Sequence, residues 1–166
     1  MALVLRPTTA ADLDFVLAAE ADEDAAPFIL GASEQQHRDS LSDPDQAHLI
    51  VVDGDTPAGF VLLAGLTDVH GGVELRRIVV AAKGRGTGRA ALALVLDHAF
   101  GTLGAHRVWL DVMAHNERAR HAYAAVGFVE EGVLRDALLT GSGHVSLVVM
   151  SMLRSEWRPP RAQVGE

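Results

Sequence analysis

The chain has 166 residues, 49% of them hydrophobic and 22% charged, which suits one globular domain with a sizeable core. A formal net charge of −8 argues against a general nucleic-acid binder, and the absence of cysteine excludes disulfides, a cysteine nucleophile and a cysteine-zinc site. No apolar run is long enough to span a bilayer, and Met1-Ala2-Leu3-Val4-Leu5-Arg6 lacks the pattern of a signal peptide, so a cytoplasmic protein free of membrane partners is expected.

In chain order, Leu3, Val4 and Leu5 predict a first strand, ended by Arg6-Pro7. Thr8 or Thr9 can cap a helix with Asp12 near its positive end, and Leu13, Val16 and Leu17 give that helix a buried stripe through Glu20. An acidic segment with Glu20, Asp22, Glu23 and Asp24 comes next. A short helix is expected over residues 33–41 and a turn over 42–45. Residues 48–52 and 58–66 read as strands around the hairpin turn Asp53-Gly54-Asp55. A second turn, 67–72, leads into a strand that begins at Glu74 and completes an antiparallel meander.

Residues 74–100 organise the rest. Leu75, Ile78, Val79 and Val80 form the strand, and Leu92, Val95, Leu96 and Ala99 repeat at helical spacing. Between them run Lys83-Gly84-Arg85-Gly86-Thr87-Gly88, then Arg89. Glycines let backbone N–H groups approach a ligand closely, and the first turn of a helix favours an anion. With Arg76, Arg77, Lys83, Arg85 and Arg89 clustered in an acidic protein, the stretch reads as a phosphate or pyrophosphate cradle. It is neither a P-loop, which needs Lys-Ser/Thr after its last glycine, nor the dinucleotide fingerprint G-x-G-x-x-G.

Further on, Val108, Leu110 and Val112 alternate in a strand over 106–112. Asn116 opens a helix whose face carries Ala119, Ala122, Tyr123 and Val126, and Gly127 closes it. Strands over 128–134 and 145–153 complete the order β-α-α-β-β-β-α-β-α-β-β. One domain is expected over residues 1–158, with a mobile tail over 159–166.

The glycine loop resembles the acyl-CoA loop of the GNAT acetyltransferases, with Lys83 where Gln or Arg is usual. A second segment, Asn116 through Ala119 and Tyr123 to Gly127-Phe128, resembles the same family. Glu131-Gly132-Val133-Leu134-Arg135-Asp136 and Met150-Ser151-Met152-Leu153 resemble its ribosomal-protein and spermidine N-acetyltransferase branch. The resemblance implies a mixed α/β sheet with helices on both faces and transfer of acetyl from acetyl-CoA to a primary amine of a small molecule or peptide. It implies no metal, and it allows a homodimer.

The family likeness also implies roles. Backbone at Ile78, Val79 and Val80 would pair with the pantetheine arm. Lys83, Gly84, Arg85, Gly86, Thr87, Gly88 and Arg89 would hold the diphosphate. Tyr123, the sole tyrosine, would protonate the leaving sulfur, or simply pack in the core. Asn116 would lie near the pantetheine or sulfur, and it suits a helix N-cap equally. Glu74 is the candidate base, with an ion pair to Arg76 or Arg77 as the alternative. His70 is a weaker base, water can replace any side chain, and the histidines show no metal spacing. The acidic segment can attract a cationic amine or can be a solvated face. Two further functions stay open: a non-catalytic acyl-CoA sensor on the same fold, and a nucleotide- or RNA-binding domain.

Overall fold

A computed structural model describes residues 3–81, 84 and 86–160. Seven strands form one mixed sheet in the order β1-β2-β3-β4-β5-β7-β6. The first four are β1 (Leu3–Pro7), β2 (Gln46–Asp53), β3 (Thr56–Ala64) and β4 (Gly72–Val80); the others are β5 (Arg107–Met113), β6 (Val129–Thr140) and β7 (Gly143–Leu153). The helices are α1 (Leu13–Glu20), α2 (Glu34–Ser42), α3 (Thr87–Asp97) and α4 (Glu117–Val126). The expected element order and the mixed sheet are both present.

The helices cover both faces. Leu92, Val95 and Leu96 of α3 pack with Val73, Leu75, Val108 and Met150, and Tyr123 and Val126 of α4 lean on the same cluster. On the opposite face Val16 and Ala19 of α1 pack with Ile50, Val52, Phe60 and Val79. Ser33 caps α2 in a reciprocal box with Gln36. Trp157 donates its indole N–H to Asp97 at 3.1 Å and stacks on Phe100, which ties the segment after β7 to α3.

Some boundaries differ from the sequence reading. β1 continues through Arg6-Pro7, because an edge strand tolerates a proline that has no N–H to donate. A 3-10 turn over Ala10–Asp12 precedes α1, with Thr9 as its cap and Arg6 bound to Asp12 at 2.7 Å. β3 stops at Ala64. β6 runs on to Thr140, past the expected end at 134. It lies exposed on the sheet edge with two register shifts, so its sequence shows no clean alternation.

Two features of β4 position the site. First, Leu62 pairs with Arg77 but Leu63 pairs with Leu75, so Arg76 is an extra residue, a β-bulge. The bulge reverses the facing of the later residues of the strand: Val73 and Leu75 lie in the α3 cluster, whereas Val79 joins the α1 cluster. Second, β4 pairs with its parallel neighbour β5 only over Gly72–Arg107, Val73–Val108 and Glu74–Trp109. Beyond those pairs the strands part, and the β5-facing backbone edge of β4 has no strand partner among the described residues.

Candidate active site

A cleft of about 880 Å³ lies where β4 and β5 separate. Ile78, Val79 and Val80 line it from β4, and Gly84, Gly88 and Arg89 from the start of α3. Lys83 and Arg85 lie outside the described residues. Gly86 caps α3 with φ 71° and ψ 16°, a left-handed conformation that glycine adopts without strain. Thr87 turns its N–H and its hydroxyl onto the Gly84 carbonyl, at 3.3 and 3.2 Å. That amide is therefore not aimed outward. Gly88 and Arg89 line the cleft, so the anion-favouring end of α3 faces it.

Tyr123 lines the cleft from α4, half-buried, with its ring edge-on to Phe128 at 5.8 Å. Both readings of this residue hold in part, since it packs against the core and also reaches the cleft. Desolvation by burial pushes its phenol up to about 12, so it keeps its proton at neutral pH. Asn116 is the N-cap of α4, its Oδ1 accepting from the Ala119 amide at 3.2 Å, and it lines the cleft as well. Glu74 forms the ion pair that was its alternative reading: Arg76 donates Nη2 and Nε to its carboxylate at 3.0 and 3.2 Å. His70 does not line the cleft.

A model of the acetyltransferase (GNAT) family matches residues 13–128. The chain belongs to the GNAT acetyltransferase family. It is an acetyl-CoA-dependent N-acetyltransferase, and its acceptor is an amine. This GNAT chain is 27% identical over 126 residues to a Vibrio cholerae spermidine N(1)-acetyltransferase, covering 75% of this chain and 73% of that one. It is 33% identical over 100 residues, 60% of this chain and 55% of the other, to Bacillus subtilis YdaF, provisionally named a ribosomal N-acetyltransferase. A crystal structure of the Vibrio cholerae spermidine N-acetyltransferase in complex with CoA and spermine superposes with a TM-score of 0.83. That match has 25% identity and covers 93% of this chain and 96% of that one.

Two parts of this GNAT site escaped the sequence reading. The first is Asp111, on β5 just past the parting from β4, which lines the cleft together with Glu74 and Arg76. Desolvation, helped by the Glu74 charge and opposed by Arg76, raises its carboxyl above the usual value. The available signal was a carboxylate inside the strand Arg107–Met113, a position where such residues are depleted.

The second is a buried polar chain behind the cleft wall. The Arg77 guanidinium donates to Glu20 Oε1 at 2.7 Å, and Glu20 Oε2 accepts the Ala32 amide at 3.0 Å. His37 Nε2 lies 3.1 Å from Glu20 Oε1, at ion-pair distance but off the line of a hydrogen bond. His37 Nδ1 meets His48 Nε2 at 3.0 Å, and His48 Nδ1 meets the Thr8 hydroxyl at 2.8 Å. Glu20, His37, His48 and Thr8 are all buried, and Phe60 stacks on His48. Glu20 thus ties β4 to the connection between α1 and α2, whose residues Glu23, Asp24, Pro27, Phe28, Ile29 and Leu30 form one wall of the cleft. Part of the expected acidic segment therefore lines the cleft, while Glu20 itself is buried structure. No cluster of three metal-binding side chains occurs among the described residues.

Proposed function

We propose that the cleft binds acetyl-CoA with its diphosphate at the start of α3 and its thioester beside the open edge of β4, next to a primary amine acceptor. The observation that carries this reading is the parting of β4 from β5 directly beside the N-terminus of α3. A strand edge without a partner offers N–H and C=O groups to an amide-bearing arm, as a further strand would. Amides at Ile78, Val79 or Val80 can also polarise a thioester carbonyl. Gly84, Gly86, Gly88 and Arg89, with Lys83 and Arg85 by sequence, serve the diphosphate.

Tyr123 acts as the general acid. Its phenol is fully protonated at working pH, and the departing thiolate of CoA needs a proton. The carboxylates of Glu74 and Asp111 together form the sink for the proton of the acceptor ammonium. Glu74 is held in place by Arg76, and burial raises the Asp111 carboxyl above its ordinary value. Asn116 fixes the start of α4 and so the direction of Tyr123.

The exposed edge strand β6, with Val133 56% and Leu139 65% exposed, supports a homodimer formed along it. The lack of cysteine is in keeping with a cytoplasmic location.

The test is a panel of primary amines, with mono-, di- and polyamines, amino-acid amides and short peptides, assayed for thiol release from acetyl-CoA. Turnover with at least one member is expected. Silence across the panel while CoA still binds would favour an acyl-CoA sensor on the same fold.

A further inference from the structure

A second chamber of about 350 Å³ opens beside the cleft. Pro27, Ile29, Leu30, Met113 and His115 line both spaces, so the two adjoin. No described residue of the glycine loop or α3 lines the chamber, which places it away from the diphosphate end. Its far wall is the turn between β6 and β7, with Thr140, Ser142 and Val145.

The chamber and the cleft differ in charge. The cleft carries the carboxylates Glu23, Asp24, Glu74, Asp111 and Glu117 along with Arg76, Arg77, Arg89 and Arg118. The chamber contains no Asp, Glu, Lys or Arg among its described lining residues. The one ring among its described lining residues other than proline is His115. The hydroxyls of Thr140 and Ser142 lie 3.1 Å apart and bond to each other, and the Thr140 hydroxyl also donates to the Gly143 carbonyl at 2.8 Å.

We infer that this chamber takes an uncharged substituent carried by the acceptor amine, so that the substrate class is a monoamine and not a polyamine. The inference rests on the acetyl-transfer reading above and names the substrate class of that same site. The reacting ammonium is drawn to the cleft carboxylates, and the rest of the molecule extends between Leu30 and Val145. A second ammonium in the chamber would meet no carboxylate among its described lining residues. An uncharged chain in the same place needs no counter-charge.

The experiment compares n-hexylamine with 1,6-diaminohexane, which have the same length and differ by one charge, in kcat/KM for thiol release from acetyl-CoA. The monoamine should exceed the diamine by tenfold or more. Ser142→Asp, at an exposed turn position, should cut that ratio by about tenfold by supplying the missing carboxylate. Val145→Asp, from the neighbouring strand, should act in the same direction. Circular dichroism checks that both variants fold. A diamine equal to or better than the monoamine in the unaltered protein overturns the inference. So does a ratio unmoved in both folded variants, or refusal of both amines while another amine of the panel turns over, which leaves the acetyl-transfer reading standing. Refusal of every amine with CoA still bound overturns that reading and the inference with it.

Discussion

Replacing Tyr123 with Phe is expected to lower kcat by on the order of 100-fold or more, while the affinity for CoA changes by less than about threefold. The hydroxyl makes no hydrogen bond among the described residues, so its removal leaves no buried partner stranded. The ring keeps its contact with Phe128 and its place against the core. Stability should therefore stay within about 0.5 kcal/mol of the unaltered protein, as for a substitution that opens no cavity. A phenol displaced to about 12 does not ionise between pH 6 and 10, so the kcat profile should show no alkaline fall from this residue. Steady-state kinetics with any accepted amine, paired with calorimetric CoA binding, checks both halves. A variant that keeps its kcat would return Tyr123 to a packing role.

The second large effect is on stability and comes from Glu20. Removing one partner of a buried ion pair leaves the other uncompensated, at a cost of about 3–5 kcal/mol. Glu20→Ala strands the Arg77 guanidinium and the Ala32 amide together, so a loss in that range is expected in urea unfolding. The same chain gives a pH signature. Desolvation, with the His37 charge second, lowers His48 from 6.5 to about 4. The unfolded chain thus binds a proton that the folded one refuses between these values. Stability from this group is complete above pH 6.5 and is lost as pH falls toward 4. At the end of that window the loss is roughly 3 kcal/mol, at 1.36 kcal/mol per unit. The groups that share its surroundings are His37, Glu20, Asp12 and Thr8. His48→Gln should flatten the drop between pH 7 and 5, which denaturant curves at the two pH values will show. An unchanged drop would move its origin to another group, and not to Asp12, whose stabilisation by Arg6 is lost only below its ordinary value of 3.8.

The parts of this molecule that were legible in its sequence are those written in local patterns. Gly84, Gly86 and Gly88 between an apolar strand and a helical repeat mark the β4–α3 junction, and Asn116 with Gly127 brackets α4. What was not legible depends on contacts across the chain. The bulge at Arg76 left a trace, because the apolar residues that pack with α3 fall at 73, 75, 78 and 80, a spacing of two, three, two. That trace gains meaning only when the pairing with β3 is known. Asp111 is an isolated acid in a strand until the parting of β4 and β5 opens a cleft in front of it. His37, His48 and Glu20 lie on three separate elements, and no sequence spacing joins them.

The central claim is that the opening between β4 and β5 is a seat for an acyl-CoA. Calorimetric titration of the folded protein with acetyl-CoA tests it most directly. Saturable one-to-one binding in the micromolar range is expected, displaced by CoA and left untouched by an equal concentration of ATP. A flat titration, or equal displacement by ATP, would contradict it.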